Sequence, residues 1–501
     1  MKQLSGMDNV FLHQEKPGQC MHVASLGIYD PSSAPDGHVR FKSILDFFTS
    51  KMSDWTLFRR RLVHPPFGID RPYWVDGASV DVEYHVRHIG LPHPGDWRQL
   101  MIQIARIHAR PMDLTKPLWE AYVIEGLDNI EGAAPGSFAL YIKFHHSAVD
   151  GEMGAKIMGA IHTLTAEFDP ATLHSHAPII ADRDPGVLEL VTRAVEHRVK
   201  QAADASKLML NLVNVGREIG PQAIEAGSEY LNNFMGKGSP KDNGASGNTK
   251  APKTRFNEHI SPHRVIDAAH LSLDDCKIIR KNVESVTIND IFLTSVGRAL
   301  QKYLAAKGEL PDLSLHAMMP ISTRDPKADV DSGNQIGMAV TDLCTDCDDP
   351  IEHLIAVSAA AARAKKTSQL LGPDIQSQLL NVLPATLVER VISHQITSNA
   401  NVVVSNVRGP NVPLYMAGAK LQMFMPISIP YDGLGLSITG FSYNGALWIA
   451  IVCCRAMLPD PAFLTKCLND SFSEIVEASI SYGELTTRKS PIKRKRAAKA
   501  K

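Results

Sequence analysis

Phe138-Ala139-Leu140-Tyr141-Ile142-Lys143-Phe144-His145-His146-Ser147-Ala148-Val149-Asp150-Gly151 holds the reading that decides the fold. Its first seven residues form an apolar, strand-like run, the two histidines extend it, residues 147–151 turn, and Met153, Ile157, Ile161 and Leu164 then recur at helical spacing. The histidines therefore lie where a strand ends and a helix begins. Side chains alternate across a strand, so adjacent histidines cannot both face one pocket, and parity does not say which of the two is free for chemistry. An imidazole, with an unperturbed pKa near 6.5, is the usual group for taking a hydroxyl proton at neutral pH and returning it within one cycle. A bare histidine pair is commonly structural. Asp150 and Gly151 at fixed spacing shift this pair toward catalysis, with Gly151 giving the turn conformational freedom or close backbone approach.

Working outward, residues 101–108, 137–144 and 152–164 alternate helical and strand-like patterns, which makes the first part α/β. Residues 184–234 read as long amphipathic helices, with Leu188, Val191, Val195 and Val199, then Leu208, Leu212 and Val215, at helical spacing. Residues 236–257 are dense in Gly, Pro, Ser, Asn and Lys with almost nothing to bury, and read as a mobile crossover linker. A second half begins near His259, with a helix over 288–305 and strands at 315–319, 401–404 and 447–452, and folded sequence is expected to end near Tyr482. The expected organisation is 1–180, an N-terminal subdomain carrying the histidines; 181–257, helices and linker; 258–485, a C-terminal subdomain; and 486–501, a basic tail.

A chain of 501 residues exceeds what one hydrophobic core organises, in keeping with two large units. With 44% hydrophobic and 21% charged residues the composition is that of a folded globular protein, and a net charge of −1 argues against a basic nucleic-acid binder. The exception is the tail RKSPIKRKRAAKAK, whose eight Lys and Arg suit either a solvated extension or attraction to anionic lipid. Seven cysteines without framework spacing suit a reducing compartment with no structural disulfide, and the lone Cys344-x-x-Cys347 lacks partners for a metal set, so no metal is expected. The N-terminus has no apolar signal core and the longest apolar run, 446–454, is far short of the ~20 residues a spanning helix needs. A cytoplasmic protein is expected.

His145-His146-Ser147-Ala148-Val149-Asp150-Gly151 matches HHxxxDG, the signature of coenzyme A-dependent acyltransferases related to chloramphenicol acetyltransferase and to peptide-synthetase condensation domains. Met21-His22-Val23, Asp81 to His88 (DVEYHVRH), Pro117-Leu118-Trp119-Glu120, Asn289-Asp290-Ile291, Pro320 to Arg324 (PISTR), Gly333-Asn334 and Ser405 to Pro410 (SNVRGP) follow in order. Together they resemble the bacterial wax ester synthase/diacylglycerol acyltransferase family over nearly the whole chain. The resemblance implies two chloramphenicol-acetyltransferase-like α/β subdomains, with mixed sheets and flanking helices, enclosing a substrate tunnel at their interface. It places the catalytic histidine at His146, beside His145, and makes Asp150 a structural residue whose expected partner is Arg324. It implies acyl-CoA as co-substrate with no further cofactor, and a fatty alcohol or diacylglycerol as acceptor.

A thioester is already activated toward an alcohol, so the reaction needs orientation, a base and oxyanion stabilisation rather than a covalent acyl-enzyme. Asn289 is the candidate donor near the reacting centre, with Ser405 and Asn406 and the turn glycine Gly151 as candidate substrate contacts; each could equally cap or pack. Trp119 reads as a core or tunnel-wall aromatic. The chain has no G-x-S-x-G, H-E-x-x-H or G-x-x-x-x-G-K-[ST], which weakens serine lipase, zinc protease and P-loop readings. His145 with Asp150 also satisfies the H-x-x-x-x-D of glycerol-phosphate acyltransferases, whose E-G-T-R block is missing. A condensation-type enzyme using a carrier-protein thioester and a non-catalytic lipid-body scaffold are the alternatives. Insoluble substrates without a spanning segment point to peripheral contact with a membrane or lipid inclusion.

Overall fold

The structure is a computed structural model and describes residues 1–149, 151–167, 181–218, 251–322, 336–370 and 399–489. Its strands are β1 (Lys2–Gln3), β2 (His22–Asp30), β3 (Arg60–Val63), β4 (Tyr73–Asp76), β5 (Val86–Gly90), β6 (Trp119–Glu125), β7 (Phe138–His145), β8 (Arg264–Ser272), β9 (His316–Ser322), β10 (Ile336–Asp342), β11 (Val402–Arg408), β12 (Tyr415–Met416), β13 (Ala419–Ile427), β14 (Leu436–Tyr443) and β15 (Ala446–Cys454). The helices are α1 (Gly6–Gln14), α2 (Phe41–Asp54), α3 (Val82–His85), α4 (Trp97–His108), α5 (Gly151–Ala160), α6 (Val187–Glu218), α7 (Leu273–Asn282), α8 (Ile288–Lys307), α9 (Pro350–Leu370) and α10 (Pro461–Lys489). Two six-stranded sheets, in the orders β12-β13-β2-β7-β6-β5 and β10-β9-β11-β14-β15-β8, form the frame, with a small sheet β1-β4-β3 beside the first. Both large sheets are mixed: β5 runs parallel to β6, and β11 runs parallel to β9 and β14, among otherwise antiparallel pairs.

β7 is buried at every position, because it lies between β2 and β6 with both faces covered, and this is why its sequence is an apolar run rather than an alternation. Helix ends follow their capping chemistry. Asp96 and Gln99 form a capping box at the start of α4, Thr287 and Asp290 another at the start of α8, and Gly308 closes α8 in the left-handed region with φ 69°. Apolar side chains from α4 (Leu100, Ile104) and β7 (Tyr141) join Ile266 of β8 and Val452 of β15 in one core, which fastens the two halves together. Trp97 Nε1 adds a 2.7 Å hydrogen bond to Asp267 Oδ1.

The two α/β subdomains expected from sequence are present, but the chain does not divide between them at one point. β12 and β13, within the expected C-terminal unit 258–485, instead complete the N-terminal sheet, where β13 pairs antiparallel with β2 from Lys420–Asp30 to Ile427–Ala24. An exposed edge of β2 would leave a row of unpaired amides and carbonyls, and β13 covers it.

Most of the expected linker lies outside the described residues, yet its last part is ordered: Thr254 and Asn257 cap a short turn whose Phe256 is buried in the C-terminal core. α10 runs through Lys489, beyond the expected end of folded sequence. The remainder of the tail lies outside the described residues. α5 stops at Ala160, so Met153, Ile157 and Ile161 are buried while Leu164 is exposed, the chain turning there to pair Thr163 with Tyr415.

α6 confirms a helix over the first part of the expected amphipathic stretch. Leu190 and Ala194 are buried and His197 Nδ1 meets Asp70 Oδ1 at 2.8 Å, whereas Leu188, Val195 and Val199 are 79%, 60% and 68% exposed. Of the apolar positions read from spacing, these three face solvent while Val191 is half-buried.

Candidate active site

The end of β7 is held from both sides by backbone hydrogen bonds. The His145 amide donates to Leu118 O at 3.1 Å and the His146 amide to Met21 O at 2.7 Å. Two of the motifs flanking the histidines in sequence, MHV and PLWE, therefore supply the carbonyls that fix their backbone. β2 pairs with β7 so that His22 lies opposite His145, and β6 pairs so that Trp119 lies opposite Phe144. Trp119 is a core residue, stacked on His85 at 4.5 Å and donating from Nε1 to Phe58 O at 3.0 Å. The DVEYHVRH segment serves the same packing, His85 Nδ1 bonding to Trp119 O at 2.7 Å.

The structure separates the two histidines. His145 is fully buried. Its Nδ1 accepts from the Ser147 amide at 3.1 Å and lies 2.7 Å from Ser147 Oγ, which leaves Nε2 as the protonated nitrogen, facing Glu15 Oε2 at 3.4 Å. His146 stands one residue further on, in the turn, half-buried, with its ring stacked on Phe11 at 3.9 Å and 10° between planes. Burial pushes its pKa down to about 4, with the neighbouring His145 adding to the effect and hydrogen bonding by backbone groups of His146 and Val149 opposing it. His146 is therefore neutral at pH 7 and able to accept a proton. Arg60 Nη2 donates to Ala148 O at 2.8 Å and so ties the turn to β3.

α5, which leaves the histidine turn, packs against β11, and Asn406 on β11 donates from Nδ2 to Asn289 Oδ1 at 3.4 Å. Asn289 is half-buried in the first turn of α8, whereas its neighbour Asp290 has a capping role: its Oδ2 accepts from the Thr287 amide at 2.8 Å, from Thr287 Oγ1 at 2.9 Å and from Ser358 Oγ at 3.1 Å. Strand alternation turns Ser405 to the opposite face of β11 from Asn406, so the two expected contacts do not converge. Gly409, in the same SNVRGP motif, has a structural reason: an added Cβ would lie 2.0 Å from Phe441 Cε1 and 2.4 Å from Ser442 O. Gly151 begins α5. Asp150 and Arg324 lie outside the described residues, as do Gly333 and Asn334.

Behind the turn is a buried polar layer that motif reading did not find. Lys143, fully buried, pairs with Glu120 Oε2 at 3.2 Å and donates to Arg110 O at 2.9 Å. Burial pulls its pKa down while Glu120 supports the charge. Among the described residues, Glu15, Cys20 and His22 offer donor atoms within 4.8 Å of one another and could hold a metal ion. The positive charges of Lys143 and Arg264 both bear on Cys20, where burial with the Glu15 charge lifts the thiol to about 11, and they weaken the pull of this group on a further cation. Phe11, Glu15 and Arg60 were missed in the sequence because each is common in type and reaches the turn only through the fold.

Both parts of the chain match a known family. Residues 4–292 match the wax ester synthase/diacylglycerol acyltransferase catalytic domain, and residues 332–476 match the WS/DGAT C-terminal domain. The chain is 33% identical over 471 residues to the O-acyltransferase WSD of Acinetobacter baylyi, covering 92% of this chain and 93% of that one. It is 31% identical over 480 residues to a probable diacylglycerol O-acyltransferase of Mycobacterium tuberculosis, covering 94% and 98%. Among solved structures it resembles the wax ester synthase/diacylglycerol acyltransferase of Marinobacter aquaeolei, with TM-score 0.60, 25% identity and coverage of 95% and 100%. A trichothecene 15-O-acetyltransferase from Fusarium sporotrichioides shares the fold at 13% identity, with TM-score 0.59 and coverage of 95% and 94%.

Proposed function

Because the chain belongs to the wax ester synthase/diacylglycerol acyltransferase family and is an O-acyltransferase, we propose that it moves a long-chain acyl group from acyl-CoA to a fatty alcohol or diacylglycerol by direct attack, with His146 as general base. His146 takes the hydroxyl proton as the acceptor oxygen bonds to the thioester carbonyl carbon. The tetrahedral intermediate then expels the CoA thiolate, and the imidazolium returns the proton to sulfur. One histidine serves both halves of the cycle, and no covalent acyl-enzyme is formed.

The contrast between the two histidines carries this assignment: His145 is tied to Ser147 and faces Glu15, whereas His146 sits in the turn, stacked on Phe11 and held neutral by burial. A pKa of about 4 in the substrate-free protein makes His146 a weak base at rest. Its protonated form arises only beside the charge developing on the reacting oxygens, and the stacked face of Phe11 adds ~0.5–1 kcal/mol of cation–π attraction for that form. Asn289 and Asn406, joined by a hydrogen bond, are the candidates for holding the oxyanion or orienting the acceptor. The reacting groups meet in a tunnel between the two subdomains.

The lipid substrates call for peripheral contact with a membrane or lipid inclusion. No helix among the described residues is long and apolar enough to span a bilayer. Support for the contact comes from the exposed stripe Leu188, Val195 and Val199 on α6 and from the basic tail.

The test is release of free CoA from palmitoyl-CoA by purified protein with hexadecanol, dipalmitoylglycerol or no acceptor, for wild type and His146→Ala. Acceptor-dependent release by the wild type, with matching ester product, is expected. A folded wild type that releases no CoA with either acceptor would overturn the acyl-CoA assignment and favour a carrier-protein donor.

A further inference from the structure

We infer that Glu15 is a positioning residue for the acyl-transfer site, whose carboxylate locks both the strand end and the carbonyl that hold His146 in place. The inference rests on the assignment of His146 as base. Glu15 follows α1, the helix that presents Phe11 to the His146 ring. Its Oε2 accepts from the Met21 amide at 2.5 Å and lies 3.4 Å from His145 Nε2, and its Oε1 lies 3.7 Å from His22 Nε2. Among the described residues, these two imidazole nitrogens are buried and have no hydrogen bond, so the Glu15 carboxylate is the charged group that faces them. Met21, whose amide Glu15 holds, in turn accepts the His146 amide at 2.7 Å.

A carboxylate suits these neighbours. The Ser147 amide obliges His145 Nδ1 to accept, so Nε2 of the neutral ring is a donor and needs an acceptor opposite it. The Met21 amide is also a donor. Glutamate presents acceptor lone pairs to both from one oxygen and keeps the second for His22. A glutamine could turn its one oxygen toward those two donors, but it removes the negative charge, and that charge offsets the nearby Lys143 and Arg264, whose fields both reach Cys20 in the same pocket. Disturbing Glu15 therefore shifts Met21 and His145, and through them the ring that moves the proton, without touching either substrate.

The test compares Glu15→Gln, Glu15→Ala and Glu15→Asp with wild type and His146→Ala, measuring kcat and the KM of palmitoyl-CoA and hexadecanol, each corrected for the folded fraction by circular dichroism. The expected result is a kcat at least tenfold lower for Gln and Ala, KM values within about twofold of wild type, and partial recovery of kcat in Asp, which keeps the charge. Folded Gln and Ala variants with kcat within twofold of wild type would overturn the positioning role, as would losses that vanish once activity is expressed per folded molecule. Should the Gln and Ala variants fail to fold, Asp decides by the same kcat-against-KM split, a normal kcat refuting the role. An inert His146→Ala beside fully active Glu15 variants would refute Glu15 alone, whereas an active His146→Ala would remove the premise.

Discussion

Replacing Lys143 by methionine should destabilise the N-terminal sheet by about 3 kcal/mol, because breaking a buried ion pair typically costs ~3–5 kcal/mol and one partner here keeps other contacts. Methionine preserves the length and apolar stem, so the change isolates the charge. The ammonium is fully buried, lies 3.2 Å from Glu120 Oε2 and donates to the carbonyls of Arg110 and Ile107 at 2.9 and 3.4 Å. Its loss leaves two carbonyls without that donor and a buried carboxylate without its closest cation. Glu120 retains the Tyr122 hydroxyl at 2.7 Å and the half-exposed Arg87 guanidinium at 3.7 Å, which places the estimate at the lower end of the range. Adding Glu120→Gln should cost less than it does in the wild type, by at least ~1 kcal/mol, since the two groups interact directly. Urea denaturation followed by circular dichroism measures both quantities. A loss below about 1 kcal/mol for Lys143→Met, with additive behaviour in the double variant, would refute the view that this pair sets the charge balance behind the histidine turn.

Acidification offers a second test. Burial pushes the imidazoles of His108, His146 and His162 down to about 3, 4 and 4, from an unperturbed 6.5. The unfolded chain therefore binds the extra protons between pH 6.5 and 4, stability is fully present above 6.5, and it falls as pH drops toward the folded values. The urea midpoint should be lower at pH 5 than at pH 7.5; equal midpoints would contradict the neutral buried histidines. Trp119→Ala should cost ~3–5 kcal/mol by emptying a core site and orphaning Phe58 O, measured in the same way, and a loss under 1 kcal/mol would deny its core role. Gly409→Ala should lower both the thermal midpoint and kcat, because Ser442 O cannot yield to a Cβ as a side-chain tip can; a neutral effect would show that the motif glycine is not required for close approach.

Fold class was legible because β7 and α5 change period within one short stretch and α8 carries its own start and stop signals at Thr287, Asp290 and Gly308. Sequence could not assign β13 to the first sheet, since alternation marks a strand but not its neighbour. Apolar spacing likewise does not say which face of α6 packs: Leu190, Ala194 and His197 form the inner face through contacts such as that with Asp70. His146 was legible as part of a motif, whereas its distinction from His145 depends on Ser147 and Glu15, and no spacing rule foretells that a carboxylate 130 residues away ends beside His145.

The most direct test of His146 as the base is kcat/KM for hexadecanol at saturating palmitoyl-CoA, measured for wild type, His146→Ala and His145→Gln with folded fractions determined alongside. Removing a general base typically costs ~10²–10⁴-fold, so His146→Ala should lose at least a hundredfold while keeping wild-type stability. His145→Gln should show the opposite pattern, a lower urea midpoint with a smaller loss of activity per folded molecule. A folded His146→Ala retaining more than a tenth of wild-type kcat/KM, or a His145→Gln loss that equals or exceeds that of His146→Ala, would contradict the assignment.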